Sequence, residues 1–208
     1  MQGKVTALKV QKRNKQRVNV YLDGEFAFGL SRYAAGWLHV GQELGPEKIV
    51  ELQAIDAQEV AFQRALNYLS YRDRSTQEIR DHLGKHGVEE EVIAEVLARL
   101  ARDRLVDDRQ FAALWVENRS EFRPRGRRAL AQELRQKGIG VQVIDETLSD
   151  LDEEQLAYQA ACLQVRKYRE LEWPEFRRKL SAFLARRGFS YGTVATAVRQ
   201  VWQELDQA

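Results

Sequence analysis

The sequence predicts a mainly α protein: a tandem array of three three-helix repeats behind a small N-terminal antiparallel β element. Three observations carry that expectation. First, HLGKHGV (His82–Val88), ELRQKGI (Glu133–Ile139) and FLARRGF (Phe183–Phe189) share one pattern of leucine, polar or basic residues, glycine and an apolar residue. Their glycines, Gly87, Gly138 and Gly188, lie 51 and 50 residues apart. Second, apolar residues keep fixed offsets from each glycine: Leu83, Leu134 and Leu184 before it, then Ile93, Ile144 and Val194, Leu97, Leu148 and Val198, and Leu100, Leu151 and Val201 after it. A period near 50 with several short helices per unit marks a helical array whose units bury little alone. Third, the N-terminal segment has a different period.

That segment alternates apolar and polar residues, the pattern of half-buried strands. KVTALKVQ and RVNVYLDGEFAFGL predict strands near 4–11, 17–22 and 25–30. Asp23-Gly24 between two of them is a two-residue hairpin signal. Residues 31–55 read as mostly helical, a cover for the apolar face of the strands. Pro46 suits a first helical position, and the helix is expected to run with some interruption to Leu69. Ser75 and Glu78 have capping-box spacing at the start of the next helix. Ile79 and Leu83 follow at helical spacing, and Gly87 ends it in a left-handed conformation. The divisions expected are 1–56 for the β element and connector, then 57–106, 107–151 and 152–208 for the repeats.

Composition narrows the function classes. The chain has 208 residues, 44% hydrophobic and 31% charged, with three prolines, so packed cores are expected rather than disorder. No apolar run is long enough to span a membrane. There is no signal-peptide core, and the single cysteine, Cys162, fits a reducing cytoplasm. The net charge of +2 hides segregation. Residues 9–17 carry five bases and no acid; residues 119–137 carry seven bases and two acids; residues 166–187 carry eight and three. Residues 141–158 carry six acids and no base. Such sorting often presents a basic stripe, and a well-solvated charged surface accounts for it equally well.

Several stretches resemble the RecX family of bacterial regulatory proteins. A Leu-Ser-x-Arg-x-x-Ser-x-x-Glu opening is matched by Leu69, Ser70, Arg72, Ser75 and Glu78. An Asp-Asp-x-x-Phe-Ala element is matched by Asp107, Asp108, Phe111 and Ala112. Arg119, Gly126 and the run Glu133, Leu134, Lys137, Gly138 and Ile139 complete the likeness. It is strongest over about 57–150 and looser in the third repeat; the N-terminal strands resemble the extension of longer members. Ile79 stands where leucine is common. The resemblance implies a non-enzymatic modulator of the RecA recombinase. Such a protein lies along the RecA–DNA filament and reduces strand exchange and coupled ATP hydrolysis. The expected partners are RecA in its filament and single- or double-stranded DNA, weakly or through the filament. The chain is expected to be a monomer that needs no cofactor.

The candidate filament- or anion-binding residues are Arg72, Arg74, Arg119, Arg123, Arg125, Arg127, Arg128, Lys137, Arg177, Arg178 and Lys179. RPRGRRAL is the most telling stretch. Arginines at a helix N-terminus oppose the helix dipole, while the free N–H groups there attract anions. Together they suggest a phosphate or carboxylate site, with Glu121 as a partial local counter-charge. Arg72 also fits a structural role, binding carbonyls at a helix end. Asp107 and Asp108 diverge on a helix, so an N-cap role for one is favoured over paired-carboxylate chemistry.

Catalytic readings are thin. His82 and His86 have metal-binding spacing but lack a third ligand. Cys162 has no basic activator and reads as a buried structural thiol. Trp37, Trp115, Trp173 and Trp202 are candidates for base stacking, although the Phe111–Trp115 spacing favours core packing. A direct DNA-binding regulator with a helix-turn-helix unit is the alternative. The acidic stretches VEEEVIAEVL and VQVIDETLSD after the first two glycines speak against groove insertion.

Overall fold

The computed structural model describes residues 1–206 and divides into two compact units. The first holds Met1–Arg74 and Ile79–Val106; the second holds Ser75–Glu78 and the chain from Asp107 onward.

The first unit opens on strands β1 (Gly3–Val10), β2 (Arg17–Leu22) and β3 (Glu25–Ser31). A fourth, two-residue strand, β4 (Glu43–Leu44), joins them in an antiparallel sheet of order β3-β2-β1-β4. Asp23 and Gly24 both take positive φ (48° and 92°), the geometry of a tight hairpin turn. Val5, Val18, Val20, Leu22, Phe28 and Leu30 lie buried in the cluster that also holds Ile49 and Leu52.

The stretch 31–55 is helical over somewhat more than half its length, as expected, but not throughout. Only α1 (Arg32–Ala35) and the start of α2 (Pro46–Leu69) are helical there. Between them the chain turns at Gly41 (φ 97°) and pairs with β1, where the Gly41 amide donates to the Val5 carbonyl at 2.8 Å. That pairing covers backbone groups of β1 that an all-helical connector would leave open. α2 is a single 24-residue helix without the interruption expected. Its N-terminal half packs on the sheet. Its C-terminal half gives Ala61, Phe62 and Ala65 to a second cluster. That cluster also takes Ile79 and Leu83 from α3 (Thr76–Lys85) and Ile93, Val96, Leu97 and Leu100 from α4 (Glu90–Arg102).

The second unit contains α5 (Asp108–Phe122), α6 (Arg127–Gln136) and α7 (Val141–Leu148), then α8 (Glu153–Val165), α9 (Trp173–Arg186) and α10 (Tyr191–Asp206). Each trio closes on its own apolar cluster, and half-buried Leu151 packs against both. Gly87, Gly138 and Gly188 all have positive φ (73°, 77° and 86°). Each lets the following amide reach back to the helix: Val88, Ile139 and Phe189 donate to Leu83, Leu134 and Leu184. These are the helix stops that the repeated motif predicts.

Gly138 and Gly188 also mark joints. The Arg187 carbonyl, just before Gly188, accepts from the Gly126 amide at 3.0 Å. The Lys137 carbonyl, just before Gly138, accepts from Ser75 Oγ at 2.6 Å. Ser75 and Gly126 occupy the same place in successive repeats. A carboxylate completes each joint at the next residue: Asp108 Oδ1 accepts from the Thr76 amide at 2.8 Å, and Glu153 Oε1 from the Arg127 amide at 3.0 Å. The first turn of a middle helix is thus capped by the start of one helix and the end of another.

Candidate partner-binding surface

The predicted cations separate into inward and outward groups. Glu133 of α6 gathers the inward ones. Its Oε2 accepts from Trp115 Nε1 and Arg119 Nε, each at 2.8 Å, and its Oε1 takes Arg125 Nη1 at 2.7 Å. The Arg119 guanidinium also lies 4.4 Å from the centre of the Trp115 ring. Lys137 Nζ is 5.0 Å from that ring and pairs with Glu78 at 2.7 Å. The counter-charge of this cluster is therefore Glu133 and not Glu121, which stands exposed.

Arg74 stacks on the Tyr68 ring at 3.9 Å, leaving its buried Nε without an acceptor. Arg72 donates to the Asp73 carbonyl at 2.7 Å. That carbonyl belongs to the loop before α3 and not to the end of α2.

Arg123, Arg127, Arg128, Arg177 and Arg178 are exposed; Lys179 is half-exposed. Glu175 holds Lys179 at 2.9 Å and Arg178 at 3.7 Å. Its carboxyl is kept below the ordinary range first by the Lys179 hydrogen bond and charge, then by Arg178. Arg123, Arg128 and Arg177 have no carboxylate within ion-pair distance among the described residues.

The α6 N-terminus differs from expectation. Gly126 is its N-cap (φ −72°), and there is no acid in the first turn. Two of its amides are nevertheless not open to a ligand. Arg187 and Glu153 accept from Gly126 and Arg127, so a carboxylate from α8 already occupies the place proposed for a phosphate. The side chains of Arg123 and Arg128 remain available; the Gly126 and Arg127 amides do not.

Two arginines escaped the sequence reading. Arg187 donates to the Pro124 carbonyl at 3.4 Å, and its pKa is lowered by burial and then by Arg125 and Arg123. Arg199 of α10 faces a cleft with Arg177 and Arg128. The spacing of Tyr191, Val194, Ala195, Val198 and Arg199 along one helix was the available signal.

Most of the other candidates make contacts within the fold. Asp107 caps α5, accepting from Arg109 and Gln110 at 2.8 and 3.1 Å, and Asp108 serves Thr76. His82 stacks on Tyr68 with ring centres 3.9 Å apart, and His86 Nδ1 lies 2.7 Å from the His82 carbonyl. Among the described residues no group of three or more His, Cys, Asp or Glu is placed to hold a metal. Trp115 packs against Phe111 as its spacing predicts, and Trp173 and Trp202 pack together with Phe176. Trp37 is exposed. Cys162 is half-buried against the third-repeat core. No described helix is long and apolar enough to cross a membrane.

Three-helix domains in series after a small N-terminal sheet place the chain among tandem helical-repeat proteins. The family descriptions matched are the regulatory protein RecX N-terminal domain over residues 3–44 and its first, second and third three-helix domains over 61–100, 107–148 and 152–198. The regulatory protein RecX of Bacillus licheniformis is 36% identical over 207 residues, 97% of this chain and 79% of that protein. That of Bacillus subtilis is 35% identical over 208 residues, 98% and 79%. A crystal structure of regulatory protein RecX superposes with a TM-score of 0.77 at 31% identity, covering 95% of this chain and 98% of that one. The chain belongs to the RecX family.

Proposed function

We propose that this protein binds the RecA–DNA filament and inhibits strand exchange and the coupled ATP hydrolysis, without catalysing a reaction itself. Family membership over nearly the whole chain is the observation that carries this reading. The exposed arginines Arg123, Arg127, Arg128, Arg177 and Arg178 supply a surface suited to an anionic assembly. Serial three-helix domains suit a polymer, because each domain can meet a successive subunit. The protein acts in the cytoplasm as a monomer, reaching single- or double-stranded DNA weakly or through the filament.

DNA-dependent ATP hydrolysis and strand exchange by RecA, titrated with the purified chain, test the proposal. Suppression at or below stoichiometric amounts is expected. Unaffected rates at saturating protein overturn inhibition, and gel shifts with RecA-coated and naked strands show whether binding survives without it. Preference for naked duplex would instead support a direct DNA-binding regulator.

A further inference from the structure

We propose that the third three-helix domain carries a peptide-docking cleft between α9 and α10, which takes a short segment combining an apolar anchor with carboxylates. The cleft encloses about 400 Å³, enough for a few side chains. Val194, Ala195 and Val198 of α10 and Phe189 give it an apolar floor. Arg177 of α9, Arg199 of α10 and Arg128 of α6 stand around it, all three exposed. Among the described residues no acid lines the cleft, and none of the three guanidiniums has a carboxylate partner.

The contrast along α9 sharpens this. Its three consecutive cations point different ways: Glu175 pairs with Arg178 and Lys179, while Arg177 faces the cleft alone. Unpaired guanidiniums around an apolar floor complement a ligand with carboxylates around an apolar centre.

A nucleic-acid strand fits less well. The Trp173 ring at the cleft is engaged by Phe176 and Trp202, with centres 6.4 and 5.2 Å away, which leaves Tyr191 as the exposed ring of the lining, and a single ring is a thin platform for successive bases. The other flank of α10, at Thr193, Thr196 and Gln200, shares a pocket with Asp152 and Glu154, which repel a phosphate backbone crossing the helix. The inference goes beyond the filament reading and does not depend on it, since its test uses no filament.

The test is fluorescence anisotropy of the full chain with a dye-labelled short peptide carrying a leucine-phenylalanine pair between glutamates. An oligothymidylate of equal length is measured in parallel. Saturable peptide binding is expected. It should weaken about tenfold or more when serines replace the apolar pair, and likewise in the Arg177→Glu/Arg199→Glu double variant. Ala195→Trp, which fills the cleft without altering charge, should weaken it equally. If Ala195→Trp loses its cooperative melt, Ser181→Tyr on the facing helix takes its place. The proposal is overturned if the wild-type chain shows no saturable peptide binding. It also falls if filling the cleft leaves peptide affinity unchanged, or if oligothymidylate and not peptide is displaced by filling it.

Discussion

The Gly126 amide donates to the Arg187 carbonyl at 3.0 Å, and a β-carbon on Gly126 would stand 2.3 Å from the Gly188 oxygen. Backbone meets backbone here with no room for a side chain. The same joint recurs one repeat earlier, where the Lys137 carbonyl takes Ser75 Oγ and a β-carbon on Gly138 would lie 2.3 Å from Gln77 Cβ. Gly138 and Gly188 therefore have two duties: each stops a helix, and each lets that stop seat on the first turn of another helix.

The two duties separate by substitution. Gly87 has the positive φ but nothing within 4 Å of its missing β-carbon. Gly87→Ala should cost about 1 kcal/mol, from backbone strain alone. Gly138→Ala and Gly188→Ala add a collision, and each should cost about 1–3 kcal/mol more. Gly84, inside α3 with only ordinary contact nearby, is the control: Gly84→Ala should stabilise by about 0.5–1 kcal/mol. Urea denaturation of the four variants decides. Equal losses at Gly87 and Gly138 would remove the seating role.

Glu133 is the acceptor for Trp115, Arg119 and Arg125 at once, and its side chain is 14% exposed. Removing it strands two half-buried guanidiniums and an indole N–H. Glu133→Ala should cost about 2–3 kcal/mol, and Glu133→Gln less, because the amide oxygen still accepts. Thermal melts with the shift in Trp115 emission report both. A Glu133→Ala variant as stable as wild type would show that water replaces the carboxylate at no cost.

What was legible in the sequence was local. The Asp23-Gly24 turn, the Ser75–Glu78 box, the Asp107 cap and the positive φ of the three glycines each depend on residues a few positions apart. β4 was invisible because two residues carry no period; only its pairing with β1 makes it a strand. The capping of Arg127 by Glu153 joins residues 26 apart, and no spacing rule connects them. Arg125 and Arg128 look alike in RPRGRRAL, yet one turns inward to Glu133 and the other outward. Trp115 and Arg119, one helical turn apart, did mark a shared face, but the acceptor on α6 was needed to give that face a purpose.

His82 gives the first unit a pH dependence. Burial, followed by His86, Arg64, Arg74 and Lys85, holds its pKa below 6.5. The unfolded chain therefore binds the proton first as pH falls. The stabilising contribution is full above pH 6.5 and is lost as pH drops from there toward the lower folded value. His82→Phe keeps a ring to stack on Tyr68 and removes the titration. Its melting temperature should fall less than that of wild type between about pH 7.5 and about pH 5.5. Equal falls would assign the dependence to other groups.

The exposed arginines need a variant that tests binding without breaking the fold. Reversing Arg125 would set a carboxylate against Glu133, and reversing Arg127 would bring one to the α6 N-terminus that Glu153 already holds. Arg123 and Arg128 carry neither burden. Both are exposed and without a carboxylate partner among the described residues, and position 128 lies in the first turn of α6, where an acid favours the dipole by about 0.3–1 kcal/mol. The Arg123→Glu/Arg128→Glu double variant should melt within a few degrees of wild type. Its affinity for RecA-coated single strands should fall about tenfold or more, with a flatter dependence on salt. Naked single strands measured alongside identify the anion: if phosphates are met directly, the slope of log affinity against log salt should drop by about 0.7 per lost contact there too. A normally folded variant that binds the filament as tightly as wild type at low and moderate salt would show these two arginines to be solvated bystanders.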